Sequence, residues 1–438
     1  MRAAWAFFPN LAWKSLGRAA SCVLLCAAGA STVAALPIPA GRVQTGAERV
    51  LSGEWRTGRI RKVALLTHAA AVSDTGERDV LALVRRGPWH VERLFTPEHG
   101  LDAALQGQIR DGAVTLATAE GTRSLGVRSL YGTRLKPRAE DLAGLDAVVV
   151  DLQDVGARFY TYGATLRRVM EVCRERGVKV VVLDRPNPLG GEVVEGGILD
   201  PRFLSFTGPA EVAVRHGLTL GELARWFNDE IGGQLEVVPV AGLTRRDLWS
   251  DLGRPWTPPS PAMTSFESAL CYPGACFFEA TRLDVRVGDR PFTVWGAPWL
   301  DAAGLVSSLQ SLALPGVEIR LATLPPGTMR TKDLWEPVSG PRGLERVPSV
   351  EPFQAVVLDV RDPRAFRPVT LAVHALAWLQ AHHAGPLGLE SRGFDRMAGT
   401  DILRLGLLEG RSPTDLLGIW STEPPDHLQR WRRARLYR

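Results

Sequence analysis

The stretch DAVVVDLQDVGARFYTY, residues 146–162, decides the fold of this chain. Its first part, AVVVD at 147–151, is a short β-branched run that ends in a carboxylate, which is typical of a strand buried on both faces of a parallel sheet. Its second part turns at Gly156 and brings an arginine and two tyrosines together before an amphipathic helix. Because open α/β sheets bind ligands beyond the carboxyl ends of their strands, this stretch predicts a binding site.

Similar apolar runs alternate with helical patterns through the first half of the chain. Strands are predicted at 62–67, 91–95, 127–131, 146–151, 178–183 and 235–239, and helices at 78–85, 165–176 and 220–231. Short links between alternating strands and helices predict an α/β fold with a doubly wound parallel sheet.

After the Pro-rich segment 255–263 the pattern becomes irregular. One strand is predicted at 354–359, and helices are predicted near 369–382 and 401–405. This second half favours a smaller α+β domain. A chain of this length also exceeds what a single hydrophobic core normally supports.

The first 35 residues have the composition of an export signal. They contain three basic residues and no acidic one, an apolar run at 19–35, and a small-x-small sequence at 33–35. The run is short for a membrane span. We therefore expect a signal peptide over 1–35, a periplasmic or secreted product, and no stable membrane insertion after cleavage. A retained N-terminal anchor is the alternative.

The charge balance gives no reason to expect a nucleic-acid partner. The chain has 52 Lys and Arg residues against 47 Asp and Glu residues, and loss of the three basic residues in the signal leaves 49 against 47. Removal of the signal also leaves three cysteines, so at most one disulfide can form. Cys271 and Cys276 flank a turn and could pair, or both could remain buried thiols.

Titratable and polar residues follow four of the predicted strands. They are His68, then Glu98 and His99, then Asp151 and Asp154, then Asp184, Arg185 and Asn187. The carboxyl ends of parallel strands share one edge of a sheet, so four such ends favour an active site over a decorated surface.

Glu98 is the most suggestive of these residues. It lies between Pro97 and His99-Gly100, on a loop where a partly desolvated carboxyl could act as a general acid. The alternative is a surface glutamate that caps the next helix.

Three arginines could hold an anionic ligand. Arg158, Arg185 and Arg215 each present a planar fork that suits a carboxylate or phosphate. Tyr160 and Tyr162 offer flat faces for a sugar ring. The segment that contains Arg215 and His216 could equally be only the start of a helix.

The sequence indicates no cofactor. No G-x-G-x-x-G follows the first strand, and the chain contains no P-loop, no G-x-S-x-G and no H-x-x-x-H pattern. A metal held by His68, His99 and Asp151 from separate strands is the alternative.

Eight longer strings resemble, in order and spacing, one bacterial family. They are FTPEHG (95–100), SLYG (129–132), DLQDVGARFYTY (151–162), LDRPNPLGG (183–191), RHGLTLGELA (215–224), PPSP (258–261), YPGACFFEAT (272–281) and GAPW (296–299). The chain resembles the exo-β-N-acetylmuramidases of the NamZ type over about residues 48–438.

The resemblance implies an architecture and a reaction. It implies a Rossmann-like catalytic domain over 48–250, an α+β domain over 258–438, and an active site in the cleft between them. The implied reaction releases terminal non-reducing β-N-acetylmuramic acid from peptidoglycan-derived saccharides during cell-wall turnover.

The resemblance also assigns residues. Glu98 is the implied catalytic acid, and the second catalytic role is left open between Asp151, Asp154, Asp184 and Glu279. The muramic lactyl carboxylate would explain an arginine fork. The substrate-binding residues predicted in this way are His68, His99, Arg158, Tyr160, Tyr162, Asp184, Arg185, Asn187, Arg215, His216 and Glu279.

The chain departs from the family pattern at three loops. His68 follows the first strand where relatives often carry Asn, Ala262 replaces an Asn, and Val287 replaces a Gly. Two other functions therefore stay open, a non-catalytic wall-sugar-binding protein and a hydrolase of a related acidic amino sugar. The anomeric outcome, the aglycone and the oligomeric state are not determined by the sequence.

Overall fold

The structure, a computed structural model, describes residues 43–102, 110–118, 121–327, 351–389, 391–422, 424 and 426–438. The predicted signal segment therefore lies outside the described residues. No helix among those described is both long enough and apolar enough to cross a membrane.

A seven-stranded sheet forms the centre of the N-terminal half. Its strands are β1 (Lys62–Thr67), β2 (His90–Thr96), β3 (Gly112–Thr118), β4 (Gly121–Ser129), β5 (Ala147–Asp151), β6 (Lys179–Leu183) and β7 (Leu235–Val238). The order across the sheet is β3-β4-β2-β1-β5-β6-β7, and only the β3–β4 pair is antiparallel. Thr67 of β1 pairs with Asp151 of β5, so the two central strands end level with one another.

Helices cover both faces of this sheet. They are α1 (Gly46–Leu51), α2 (Asp79–Arg86), α3 (Ala139–Leu142), α4 (Thr161–Arg176) and α5 (Leu220–Ile231). Alternate residues of β5 enter different cores: Val149 packs in the apolar cluster that contains residues of α1 and α2, whereas Val148 and Val150 pack in the cluster that contains residues of α4 and α5. Both faces of β5 are thus covered, which explains its continuous apolar sequence.

The C-terminal half contains a small antiparallel sheet and most of the remaining helices. Its strands are β8 (Val294–Gly296), β9 (Val317–Leu324) and β10 (Phe353–Val360), in the order β8-β10-β9. The helices are α6 (Phe266–Ala275), α7 (Ala302–Ser311), α8 (Pro368–Leu387), α9 (Ser391–Ala398), α10 (Ile402–Leu408), α11 (Pro413–Trp420) and α12 (His427–Ala434).

The two halves share one apolar core, and the end of the chain returns to the first half. Residues of α8 such as Leu376 belong to the same cluster as Val150 of β5. The Tyr437 hydroxyl donates to a carboxylate oxygen of Asp184, 2.5 Å away, just after β6. These contacts fix the second half against the carboxyl ends of the strands.

The predicted fold class is confirmed: a mostly parallel sheet with helices on both faces precedes a smaller α+β part. The sequence analysis missed β3, the first part of β4, and two strands of the small sheet, β8 and β9. Strands β3 and β9 have mostly exposed or partly exposed residues, and β8 spans only three residues, so none has a continuous apolar sequence like that of β5. The domain limits at 48–250 and 258–438 stay a prediction.

Candidate active site

Glu98 lies on a strained loop directly after β2. Its side chain is half-buried, and the residue that follows it, His99, has a φ of 71°. Gly100 is also left-handed, with a φ of 74°, and its N–H donates to the Pro97 carbonyl at 3.2 Å. A left-handed histidine costs on the order of 1–3 kcal/mol, and such strain concentrates at functional sites. The loop therefore holds Glu98 in a position that local preference alone would not select.

Two hydroxyl groups approach the Glu98 carboxylate. The Thr161 hydroxyl, at the start of α4, donates to Glu98 Oε2 at 2.7 Å. The Tyr131 hydroxyl, after β4, has its pKa raised by burial and further by the charge and hydrogen bonding of Glu98. Tyr131 therefore stays protonated and donates. Glu98, Tyr131 and Thr161 are called the acid cluster below.

Sequence reasoning did not assign Tyr131 or Thr161 to the site. Tyr131 lies in the SLYG string, and Thr161 lies between the two tyrosines that were predicted to contact substrate. The available signals were a polar residue just beyond β4 for Tyr131 and a polar residue at the start of α4 for Thr161.

His68 and Tyr162 form a hydrogen-bonded pair next to the Glu98 loop. The Tyr162 hydroxyl donates to the Pro259 carbonyl at 2.7 Å and lies 3.2 Å from His68 Nδ1. The Gln153 N–H donates to His68 Nε2 at 2.9 Å. Burial lowers the pKa of His68 well below its usual value, so the ring is neutral and its proton is assigned to Nδ1. Both ring nitrogens are thus engaged, which leaves His68 no nitrogen for a metal or a substrate.

Tyr162 also contacts the Glu98 loop directly. Its hydroxyl lies 3.5 Å from the Glu98 carbonyl oxygen, and its ring meets the His68 ring edge to face with centroids 4.9 Å apart. His99 is close enough to His68 for its charge to contribute to the low pKa of that ring, after burial and Arg185. The structure thus places four predicted residues, His68, Glu98, His99 and Tyr162, at one location.

Asp151 and Arg185 form a buried charge network with Asp79. Arg185 Nε donates to Asp151 Oδ1 at 2.6 Å, its Nη2 pairs with Asp79, and its Nη1 donates to the Val72 carbonyl at 3.1 Å. Burial raises the pKa of Asp79 well above its usual value; Arg185 opposes this effect, and the nearby Asp151 charge strengthens it. The two carboxyls thus share one guanidinium, and a hydrogen bond between them accompanies the raised pKa of Asp79. Within the described residues all three nitrogens of Arg185 make internal contacts, and its side chain is only 2% exposed, so little of it is open to a substrate.

Asp184 is also fully engaged inside the protein. One carboxylate oxygen accepts from the Gly221 and Arg185 N–H groups, and the other accepts from the hydroxyls of Thr219 (2.7 Å) and Tyr437 (2.5 Å). Burial raises the pKa of Asp184 to about 6. These four donors give Asp184 the role of joining β6, α5 and the end of the chain.

Asn187 connects the loop that follows β6 with the loop that follows β5. Its side-chain N–H donates to the Leu218 carbonyl at 2.9 Å, and its Oδ1 accepts from the Leu189 N–H at 2.9 Å. Gly156 packs against it with a φ of 77°, and a Cβ there would lie 2.2 Å from Asn187 Oδ1. Only glycine fits this position, so the loop after β5 and the loop after β6 specify one another.

Arg158 and Arg215 also point inward. Arg158 donates to three backbone carbonyls, those of Gly197, Val212 and Met397. Arg215 Nη2 donates to the Leu189 carbonyl at 2.6 Å. Burial lowers the pKa of Arg158 to about 9 and that of Arg215 to about 10. The structure thus places all three predicted arginines in internal contacts, and a role for them in binding substrate stays a prediction without a geometric basis.

Asp154, Tyr160 and His216 surround a small internal cavity. Its volume is about 10 Å³, which is about the space of one water molecule. Burial raises the pKa of Asp154 to about 7 and lowers that of His216 to about 3. Within the described part of the chain, the Tyr160 hydroxyl and His216 Nε2 have no hydrogen-bond partner. The cavity borders Tyr160, whose ring meets the Tyr162 ring with centroids 4.6 Å apart, and it is too small for a sugar.

The C-terminal half contributes Glu279 and Arg286 to the site. Arg286 Nε donates to Glu279 Oε1 at 2.6 Å, and Nη2 lies 2.5 Å from the same oxygen. Among the causes that shift the pKa of Tyr131, burial and Glu98 raise it and the Arg286 charge opposes them. The Glu279–Arg286 ion pair is thus near enough to Tyr131 for its charge to act on that hydroxyl. Sequence analysis did not assign Arg286 to the site.

The sequence left open whether Cys271 and Cys276 form a disulfide or remain buried thiols, and the structure has them as thiols. Cys271 and Cys276 are both free and buried, as is Cys173. The Cys276 thiol lies 3.8 Å from the Met397 sulfur and 4.0 Å from Glu279 Oε2. It therefore packs beneath the Glu279–Arg286 pair as a buried thiol.

A half-buried carboxyl with two hydroxyl partners, at the carboxyl end of a parallel sheet and beside an ion pair from a second unit, is the arrangement of a hydrolase that uses a general acid. Family models agree with this class. The N-terminal model of exo-β-N-acetylmuramidase NamZ matches residues 63–267, and the C-terminal model matches residues 270–437. The chain belongs to the NamZ exo-β-N-acetylmuramidase family, which confirms the predicted resemblance and places the chain among glycosidases.

Individual relatives support the same assignment. The chain is 36% identical over 288 residues to the peptidoglycan β-N-acetylmuramidase NamZ of Bacillus subtilis (strain 168), a match that covers 65% of this chain and 69% of that protein. A crystal structure of a DUF1343 family protein from Bacteroides fragilis superposes with a TM-score of 0.77 at 26% identity, over 91% of this chain and 100% of the other. A second DUF1343 structure from B. fragilis, with a TM-score of 0.63 at 23% identity over 90% and 99% of the two chains, shares the fold.

Proposed function

We propose that this protein is an exo-β-N-acetylmuramidase that releases terminal non-reducing β-N-acetylmuramic acid from peptidoglycan fragments. Membership of the NamZ family and the printed activity of the B. subtilis relative support the substrate class. The observation that carries the proposal is the acid cluster, in which a strained loop holds the Glu98 carboxyl against the hydroxyls of Thr161 and Tyr131.

In the proposed mechanism Glu98 protonates the leaving glycosidic oxygen. Glycoside hydrolysis needs this proton donor and a second group that stabilises an oxocarbenium-like state. Asp151 and Asp184 are engaged in buried networks, and Asp154 faces an internal cavity. The second role then falls to Glu279 or to the 2-acetamido group of the substrate itself.

We further propose that the protein is exported and acts in cell-wall turnover. The basic start, the short apolar run and the small residues at 33–35 motivate this location. Peptidoglycan fragments of the kind that the family processes lie outside the cytoplasmic membrane, which agrees with an exported enzyme.

The decisive experiment is the Glu98→Gln variant, assayed on a MurNAc–GlcNAc disaccharide and on a nitrophenyl β-MurNAc glycoside. Gln keeps the shape of the side chain but supplies no titrating proton. We expect turnover of the disaccharide to fall by a factor on the order of 10²–10⁴, the usual contribution of a general acid. The nitrophenyl leaving group needs less protonation, so its cleavage should fall less.

Glu92→Gln is the matched control, because Glu92 lies on β2, the strand that leads to Glu98. Its side chain pairs with Lys62 at 3.3 Å, away from the acid cluster. It should leave both rates within about a factor of two of wild type, as surface changes usually do. Near wild-type disaccharide turnover by Glu98→Gln would remove Glu98 from the mechanism. Binding of muramic saccharides without turnover by the wild-type protein would favour the sugar-binding alternative instead.

A further inference from the structure

The proposed substrate carries a lactyl carboxylate that needs a cationic partner. The three arginines that the sequence offered for this purpose donate to internal carboxylates and carbonyls. A cationic partner for this carboxylate is therefore expected at a different residue.

Arg286 has the geometry that such recognition requires. Its Nε donates to Oε1 of Glu279, and its Nη2 forms an ion pair with the same oxygen. Within the described residues its Nη1 has no partner, and its side chain keeps 21% of its surface exposed. An arginine fork offers five N–H groups, so two N–H groups on Nη1 remain for a ligand.

The surroundings of Arg286 fix its orientation. Its guanidinium carbon lies 5.7 Å from the centre of the Phe292 ring, and its backbone N–H donates to Asp284 Oδ1 at 2.9 Å. Glu279 is itself only 12% exposed in its side chain. The guanidinium is thus held on two sides, so little side-chain entropy would be lost when a ligand binds.

Arg286 also lies at the correct place. Its charge opposes the rise in the pKa of two buried tyrosines, Tyr131 of the acid cluster and Tyr272 of α6. Tyr131 in turn contacts the Glu98 carboxylate. Ring contacts join the same residues: Phe292, 5.7 Å from the Arg286 guanidinium carbon, has its ring centre 4.8 Å from that of Tyr272. The Tyr272 ring centre lies 6.1 Å from that of Tyr160, next to Thr161 of the acid cluster. Arg286 and the acid cluster thus border one group of aromatic rings, against which a bound sugar would lie.

We propose that Arg286 is the residue that binds the lactyl carboxylate of muramic acid, through Nη1, with Glu279 holding the guanidinium in place. This inference rests on the proposed function for the identity of the sugar. In this role Arg286 distinguishes N-acetylmuramic acid from N-acetylglucosamine, which is the same sugar without the lactyl group.

The test compares binding of a carboxylate ligand with binding of its uncharged ester. N-acetylmuramic acid and its methyl ester are titrated into the wild-type protein and into Arg286→Gln and Arg286→Lys variants, and dissociation constants are measured by calorimetry. We expect wild type to prefer the acid over the ester by about 10- to 100-fold, the range of one or two charge-assisted hydrogen bonds. Arg286→Gln should reduce this preference to below about threefold, and Arg286→Lys should restore part of it.

The ratio of the two constants does not depend on the fraction of folded protein, so a partly unfolded variant still gives an answer. Arg290→Gln is the matched control, because Arg290 is close in sequence but pairs with Asp359 at 2.9 Å. It should keep the wild-type ratio.

Three results would overturn the proposal: a wild-type protein without preference for the acid, an unchanged ratio in Arg286→Gln, or an equal loss in Arg290→Gln. Because binding is measured without turnover, loss of catalysis alone would count against the proposed function and not against this assignment.

Discussion

Replacement of Arg185 by Gln tests whether this arginine belongs to the core or to the substrate site. Its side chain is 2% exposed, and the two carboxyls that it contacts, Asp79 and Asp151, are fully buried. Loss of one partner from a buried ion pair usually costs about 3–5 kcal/mol, because the remaining charge is left unpaired. The raised pKa of Asp79 lets that carboxyl take up a proton, so Asp151 is the charge that would be left in this way. We expect the free energy of unfolding to fall by about that amount.

The assay pairs urea unfolding with steady-state kinetics on a muramic substrate. For the folded fraction of Arg185→Gln we expect KM to stay within about twofold of wild type, as for a change outside the binding site. Asp151→Asn is the milder comparison, because Arg185 keeps Asp79, which can then ionise and replace the lost partner. Its cost should be smaller, about 1–2 kcal/mol, the range of a charged hydrogen bond.

The reasoning would be refuted by an Arg185→Gln protein that is as stable as wild type but has a KM raised only for muramic substrates. That result would place Arg185 in the substrate site, as the sequence alone suggested. A large loss of kcat in well-folded Asp151→Asn would likewise return Asp151 to the catalytic machinery.

Two further predictions concern pH and export. Burial raises the pKa of Asp154 to about 7 from 3.8, so between pH 4 and 7 the folded protein keeps a proton that the unfolded chain has lost, and wild-type stability falls as the pH rises. The Asp154→Asn variant lacks this pH-dependent loss of stability. Its free energy of unfolding relative to wild type should therefore increase from pH 4 to pH 8 by up to about 4 kcal/mol, at 1.36 kcal/mol per pKa unit. If urea unfolding gives the same pH dependence for both proteins, the raised pKa of Asp154 is contradicted. For export, N-terminal sequencing of the mature protein should find cleavage near Ala35, and an intact N-terminus in washed membranes would show a retained anchor instead.

The position of Glu98 could be predicted because its determinants are local. A proline precedes it, a glycine follows two residues later, and an apolar strand ends just before it. The same holds for β5, whose five buried residues were evident from their apolar, β-branched sequence. In both cases the features that fix the structure lie within a few residues of one another.

The partners of the charged residues could not be predicted in this way. Arg158, Arg185 and Arg215 have the same side-chain chemistry as Arg286, and only packing shows that the first three are buried and internally bonded. Tyr131 and Glu98 likewise come from different strands, and their contact depends on the pairing of β2 with β4.

The sequence by itself determined the alternation of strands and helices around β5, the family, and the loop that carries Glu98, because each depends on a contiguous pattern of residues. Tertiary structure alone decided which charges belong to the core and which face a ligand. The Arg185–Asp79 pair spans 106 residues, and the Tyr437–Asp184 hydrogen bond spans 253. Such long-range contacts decide whether a charged side chain is buried and paired. A charged side chain can bind a substrate only if some of its hydrogen-bonding groups have no partner inside the protein.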